Sequence, residues 1–122
     1  MLLVAADRQT LAAILPALGD ALETRIERHL YAAGEPQLLD RLRQVPERVS
    51  SAMVIAHNPG IQGLAIALAA GGPALAGLPE KFPTGALATL ELGVERWRDV
   101  YYGMAVAVAL VTPRSLEPHA GR

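Results

Sequence analysis

The sequence predicts an α/β three-layer sandwich: a mostly parallel sheet with helices on both faces and an antiparallel addition at its end. Three observations carry that expectation. The runs Leu2-Leu3-Val4 and Ser51-Ala52-Met53-Val54-Ile55-Ala56 are short and apolar without alternation, the pattern of strands covered on both faces. Segments of helical period lie between and after them. Two neighbouring strand-like segments, Leu87–Leu92 and Gly103–Val111, close the second half of the chain.

Taken in order, Leu2–Val4 reads as the tail of a buried strand. Asp7 is placed to cap a helix from Arg8 to Leu18, whose Leu11, Ile14, Leu15 and Leu18 share one face, and Gly19 stops it. Arg25–Leu30 reads as a short extended segment. Gly34 and Glu35 lead into Pro36, a good first helical residue, and Leu38, Leu39, Leu42 and Val45 line one face before Pro46. Ser51–Ala56 is expected to be an interior strand. Asn58 can cap the next helix with Pro59 at its first position. Ile61, Leu64, Ala65, Leu68 and Ala69 form its buried stripe, and Gly71-Gly72 ends it. Residues 71–83 read as a loop. Leu87–Leu92 alternates as a half-buried strand, Gly103–Val111 is a last strand, and Pro113–Arg122 is a polar tail.

Composition bounds the function. The 122 residues are 52% hydrophobic and 19% charged, enough apolar material for one packed domain spanning 1–122. Lys and Arg total 11 against 12 Asp and Glu, a net charge of −1. No basic field is available for a nucleic-acid backbone or an anionic membrane surface. With no cysteine, disulfides, thiolate metal sites and thiol nucleophiles are excluded, and a reducing cytoplasm is the expected location. The apolar stretch Leu64–Leu78 is broken by Gly71, Gly72, Pro73 and Gly77, and Met104–Val111 falls far short of the ~20 residues of a spanning helix. The N-terminus lacks a positive region, and Asp7 and Arg8 interrupt it early, unlike a signal peptide.

The chemically informative stretch is Val54-Ile55-Ala56-His57-Asn58-Pro59-Gly60. It places a histidine at the carboxyl end of a buried strand just where a helix begins. Open α/β sheets bind ligands at the carboxyl ends of their strands. Helix starts offer backbone N–H donors and partial positive charge, which suits phosphate. A protonated imidazole there adds a charge-assisted hydrogen bond. A histidine that merely packs the strand end is the competing reading.

The segment His57-Asn58-Pro59-Gly60 after an apolar strand resembles the second histidine motif of the histidine phosphatase superfamily, and more narrowly that of the SixA-type phosphohistidine phosphatases. Leu30-Tyr31 before the following helix resembles the family's Leu-Tyr segment, and Lys81-Phe82-Pro83-Thr84-Gly85-Ala86-Leu87 its Phe-Pro-Thr segment. Trp97 and Val111-Thr112-Pro113-Arg114-Ser115-Leu116 fit its C-terminal pattern, so the resemblance spans Leu30 to Leu116. It implies a phosphoglycerate-mutase-like fold and a metal-free, cofactor-free hydrolysis. In that chemistry a histidine of an Arg-His motif is phosphorylated and then released by water, while the second histidine and two arginines hold the phosphoryl oxygens. On that footing His57 is a catalytic phosphate clamp, with Asn58 and Arg8 as further phosphate contacts. The implied partner is a phosphorylated protein (phosphohistidine) or a small phosphate ester.

The sequence also departs from the pattern. The only histidine before His57 is His29 in Arg28-His29-Leu30, well after the place of the family's first strand. The chain is therefore expected to lack the first strand–helix unit and its nucleophile, and to show little or no turnover. Thr10 resembles the threonine that follows the second arginine, but Ala6 stands at the arginine's position. Arg8 is then either a substitute or a plain helix-surface arginine. Glu35, Glu80 and Asp99 are unsupported candidates for a general acid. Thr84 is a candidate pocket residue, and His119 reads as solvated. A missing first strand would leave Ser51–Ala56 and Leu2–Val4 with an exposed edge, through which a homodimer could form. The competing functional class is a non-catalytic α/β module that binds phosphate or a partner.

Overall fold

A computed structural model describes residues 1–5, 23–80, 82–83 and 86–116. The expected helix Arg8–Leu18 with its cap Asp7, together with Ala6, Thr10, Gly19, Lys81, Thr84, Gly85 and His119, lies outside the described residues.

Among the described residues two three-stranded sheets form the frame. In the first, β1 (Leu2–Val4) is central, between β2 (Thr24–Ile26) and β3 (Met53–Ile55), and all three run parallel. Val4 pairs with both Ile26 and Ile55, so the strands end level with one another. In the second sheet β6 (Ala105–Val111) is central, parallel to β4 (Ala69–Gly71) and antiparallel to β5 (Leu87–Leu92).

The mixed, mostly parallel α/β architecture agrees with the sequence reading, and several local expectations are corrected. The interior strand is β1, whose residues are at most 2% exposed; Ser51–Ala56 contracts to β3, which among the described residues pairs with β1 alone. Leu2–Val4 therefore has neighbours on both sides rather than an exposed edge. The extended reading of Arg25–Leu30 holds only to Ile26, after which Arg28–Leu30 winds into a 3-10 turn that sinks Leu30 into the core. β4 replaces the expected end of a helix and start of a loop. Alanine and glycine carry little strand propensity, so its pairing with β6 is a tertiary effect. Gly72, at φ +107, lets that strand turn away beside Ala107, whose carbonyl oxygen a β-carbon would overlap.

Helices α1 (Glu35–Arg43) and α2 (Gly60–Leu68) pack on one face. α1 carries Pro36 in its first turn and buries Leu38, Leu39 and Leu42, as its spacing predicts. These residues join Leu3, Leu64, Leu68, Val100 and Ala105 in a main core spanning both sheets. Leu2 and Val4 point the other way and cluster with Met53 and Ile55. The segment after β5 locks the halves together: the Trp97 indole N–H donates to the Val49 carbonyl at 2.7 Å, and Arg43 Nε donates to the Arg98 carbonyl at 2.9 Å. Among the described residues no helix is long and apolar enough to cross a membrane.

Gly60 is where the loop before α1 meets the first turn of α2. A β-carbon there would overlap the carbonyl oxygen of Ala33, while one at Gly63 would only touch Glu35 at 3.6 Å. The loop entering α1 thus lies directly on the first turn of α2.

Two stability outcomes follow. Gly60→Ala should cost about 1–3 kcal/mol in urea denaturation because backbone must move, whereas Gly71→Ala, with open space around it, should stay within about 1 kcal/mol of the parent. Leu68→Ala, at a residue 2% exposed, should cost about 2–5 kcal/mol, and Val106→Ala, at 45% exposed, about 0.5 kcal/mol or less.

Candidate phosphoryl-binding rim

The carboxyl end of β3 leads through Ala56 to His57, Asn58 and Pro59 before α2 begins at Gly60. The strand is tied there by the Ala5 N–H, which donates to the Ile55 carbonyl at 2.8 Å. His57 is exposed, as the strand-end placement predicts. Its imidazole makes no hydrogen bond or ion pair among the described residues, so neither ring nitrogen is committed to one of them. Its described ring contact is with Tyr31, whose centroid lies 4.8 Å away with the planes tilted by 53°.

The helix start differs from the open collar of donors that the sequence suggests. The Ile61 N–H donates to the His57 carbonyl at 3.1 Å, and the Gly63 N–H to the Pro59 carbonyl at 2.9 Å. The Gln62 N–H donates to Asn58 Oδ1 at 3.3 Å. Only the Gly60 N–H in the first turn lacks a partner among the described residues. Asn58 caps from one position further out than expected, because Pro59 sits at the helix boundary. The Asn58 amide also donates to the Phe82 carbonyl at 2.6 Å, and the Gln62 amide to the Leu78 carbonyl at 2.9 Å. The Asn58 side chain is thus a latch between the His57 turn and Phe82, and Gln62 a second one to Leu78.

Tyr31 comes from the loop after β2. Its N–H donates to the Arg28 carbonyl at 3.1 Å, directly after the buried Leu30. Residue order places Leu30-Tyr31 before α1 but does not reveal its contact with His57. The available signal was the pairing of a buried leucine anchor with Gly60, the glycine that admits the same loop.

The other candidates are dispersed. His29 is exposed, with Nδ1 3.9 Å from a Glu27 carboxylate oxygen, and no hydrogen bond or ring contact joins it to His57. Glu27 is itself engaged by Arg41 at 2.6 Å. Glu35 accepts a hydrogen bond from the Tyr102 hydroxyl at 2.9 Å, which pushes the Tyr102 phenol above its usual range. Glu80 and Asp99 are exposed, and Asp99 sits in the 3-10 turn that follows Arg96. Arg8 lies outside the described residues. Two depressions, of about 320 and 290 Å³, lie along α1 beside His29 and around Trp97. His57 lines neither of these two.

No family model matches the chain. It is 33% identical over 111 residues to the uncharacterized proteins MT1313 and Rv1276c of two Mycobacterium tuberculosis strains, covering 88% of this chain and 67% of each relative. The uncharacterized protein ML1117 of Mycobacterium leprae is 28% identical over 93 residues, covering 74% of this chain and 57% of that protein. Among solved structures, a protein described as a candidate phosphohistidine phosphatase SixA from Nakamurella multipartitia superposes with a TM-score of 0.75 at 25% identity. The overlap covers 92% of this chain and 70% of that one. The chain belongs to the family of the mycobacterial proteins MT1313 and Rv1276c, and its fold is histidine phosphatase-like.

Proposed function

We propose that this chain holds a phosphoryl group at His57 in a phosphohistidine phosphatase-like site. The observation that carries the reading is the exposed imidazole at the carboxyl end of β3, with both nitrogens uncommitted among the described residues. The similarity of the fold to the Nakamurella protein supports it. Because three of the first four N–H groups of α2 are already bonded, attraction for an oxyanion at this turn rests chiefly on the imidazole. An imidazolium N–H at a phosphoryl oxygen gives directional, charge-assisted binding and needs no metal.

An exposed imidazole suits a phosphoryl group carried on another protein, here a phosphohistidine, better than a small ester that must be enclosed to be held. His57 acts as a clamp and not as the attacking group. Hydrolysis requires a nucleophile in line with the phosphorus, and His29, the other described histidine, is not joined to His57. On this proposal the chain binds the phosphoryl group, and no turnover is expected from the described residues alone. Arg8 and Asn58 are the further proposed phosphate contacts on sequence grounds, and the Asn58 side chain also fixes the turn that presents His57.

Inorganic phosphate, and a phosphohistidine-bearing peptide, should displace the His57 ring resonances in NMR titrations. His57→Ala should weaken binding roughly ten- to hundredfold, the loss of one hydrogen bond to a charged group. Phosphate release from the peptide should stay at the rate without protein. An unmoved His57 resonance would falsify the clamp, and turnover that scales with protein and vanishes in His57→Ala would overturn its non-nucleophilic role. Asn58→Ala should cost about 0.5–2 kcal/mol in urea denaturation and speed proteolysis between residues 78 and 83.

A further inference from the structure

We infer that Tyr31 is the positioning residue for His57: its ring holds the imidazole in one orientation at the rim. This rests on the phosphoryl-holding reading above. An exposed imidazole without a hydrogen bond to either nitrogen is free to populate several side-chain wells, each aiming its donors differently. The nearby Tyr31 face removes part of that freedom. At 4.8 Å between centroids and a tilt of 53°, the two rings take the inclined arrangement that π quadrupoles favour.

Tyr31 is well placed to act as a fixed wall. Leu30, 7% exposed, anchors the preceding residue in the main core. The Tyr31 N–H is bonded to the Arg28 carbonyl, and the Ala33 N–H to the Leu30 carbonyl, both at 3.1 Å. The Ala33 carbonyl in turn rests where Gly60 has no side chain, three residues beyond His57. The loop that carries the tyrosine and the turn that carries the histidine are thus pressed together by backbone contact.

The tyrosine is itself 51% exposed, so core packing does not account for an aromatic residue there. Its ring acts on the ligand through His57. Holding a binding group in its working orientation before the ligand arrives reduces the ordering cost of association.

The test uses the full chain with labelled histidine, and inorganic phosphate as the probe. In the parent protein the His57 ring protons should be displaced by the neighbouring ring current and show cross-relaxation with Tyr31. Tyr31→Phe should preserve the displacement and the phosphate affinity. Tyr31→Leu should abolish the displacement and weaken phosphate about two- to tenfold, with the melting temperature near that of the parent.

Unchanged His57 resonances and phosphate affinity in Tyr31→Leu would overturn the inference. So would a Tyr31→Phe variant as weak as Tyr31→Leu, since the hydroxyl and not the ring would then be responsible. If phosphate leaves the parent His57 unmoved, the phosphoryl-holding reading fails alone, and the ring-current comparison still reports whether Tyr31 orders the imidazole.

Discussion

The level, parallel register of β1 with β2 and β3 is the constraint on which the candidate site depends. Val4 faces Ile26 on one side and Ile55 on the other, so the chain leaves both outer strands at the same height. The Glu27 N–H donates to the Val4 carbonyl at 2.9 Å, and the Ala5 N–H to the Ile55 carbonyl at 2.8 Å, closing the ladder at that height. The loops that follow, one bearing Tyr31 and the other His57, then emerge at the same end of the sheet, flanking β1. A slip of one residue in either strand would turn its side chains to the opposite face and carry its loop out of step. The burial of Leu2 and Val4 on one face and Leu3 on the other opposes any such slip.

Backbone contact finishes what the register begins. Gly60 brings the loop before α1 onto the first turn of α2, closer than any other residue type would permit. Asn58 and Gln62 fasten the same turn to Phe82 and Leu78. The His57 turn is therefore held between two loops by short polar and backbone contacts, while the imidazole stays in solvent. This arrangement gives a rigid base and an accessible tip, which an anion-holding group needs. It also explains why the helix start contributes less than its position suggests: the chain's own carbonyls and the Asn58 amide oxygen have taken most of the donors.

Legibility from sequence followed the source of each element's stability. α1 and β5 were readable because amphipathic spacing is itself the reason they fold against the core. Leu38, Leu39 and Leu42 are buried, and the β5 residues alternate between exposed and half-buried as their order predicts. β4 was not readable, since Ala69-Ala70-Gly71 carries no strand pattern and is extended by pairing with β6. The interior place of β1 was missed for a related reason. A three-residue apolar run and a six-residue one look alike in composition, and only strand pairing tells centre from edge.

The same division holds at the rim. The order of residues alone determined that a histidine would stand at the end of an apolar strand before a helix, because an unbroken apolar run, a proline and a glycine enforce that succession locally. Tertiary structure decided what surrounds the imidazole. Tyr31 is distant in sequence and reaches it only through parallel pairing and the missing side chain of Gly60. Whether a helix's donors stay open is likewise settled by which oxygens fold back onto them, a matter of three-dimensional distance that residue order does not encode.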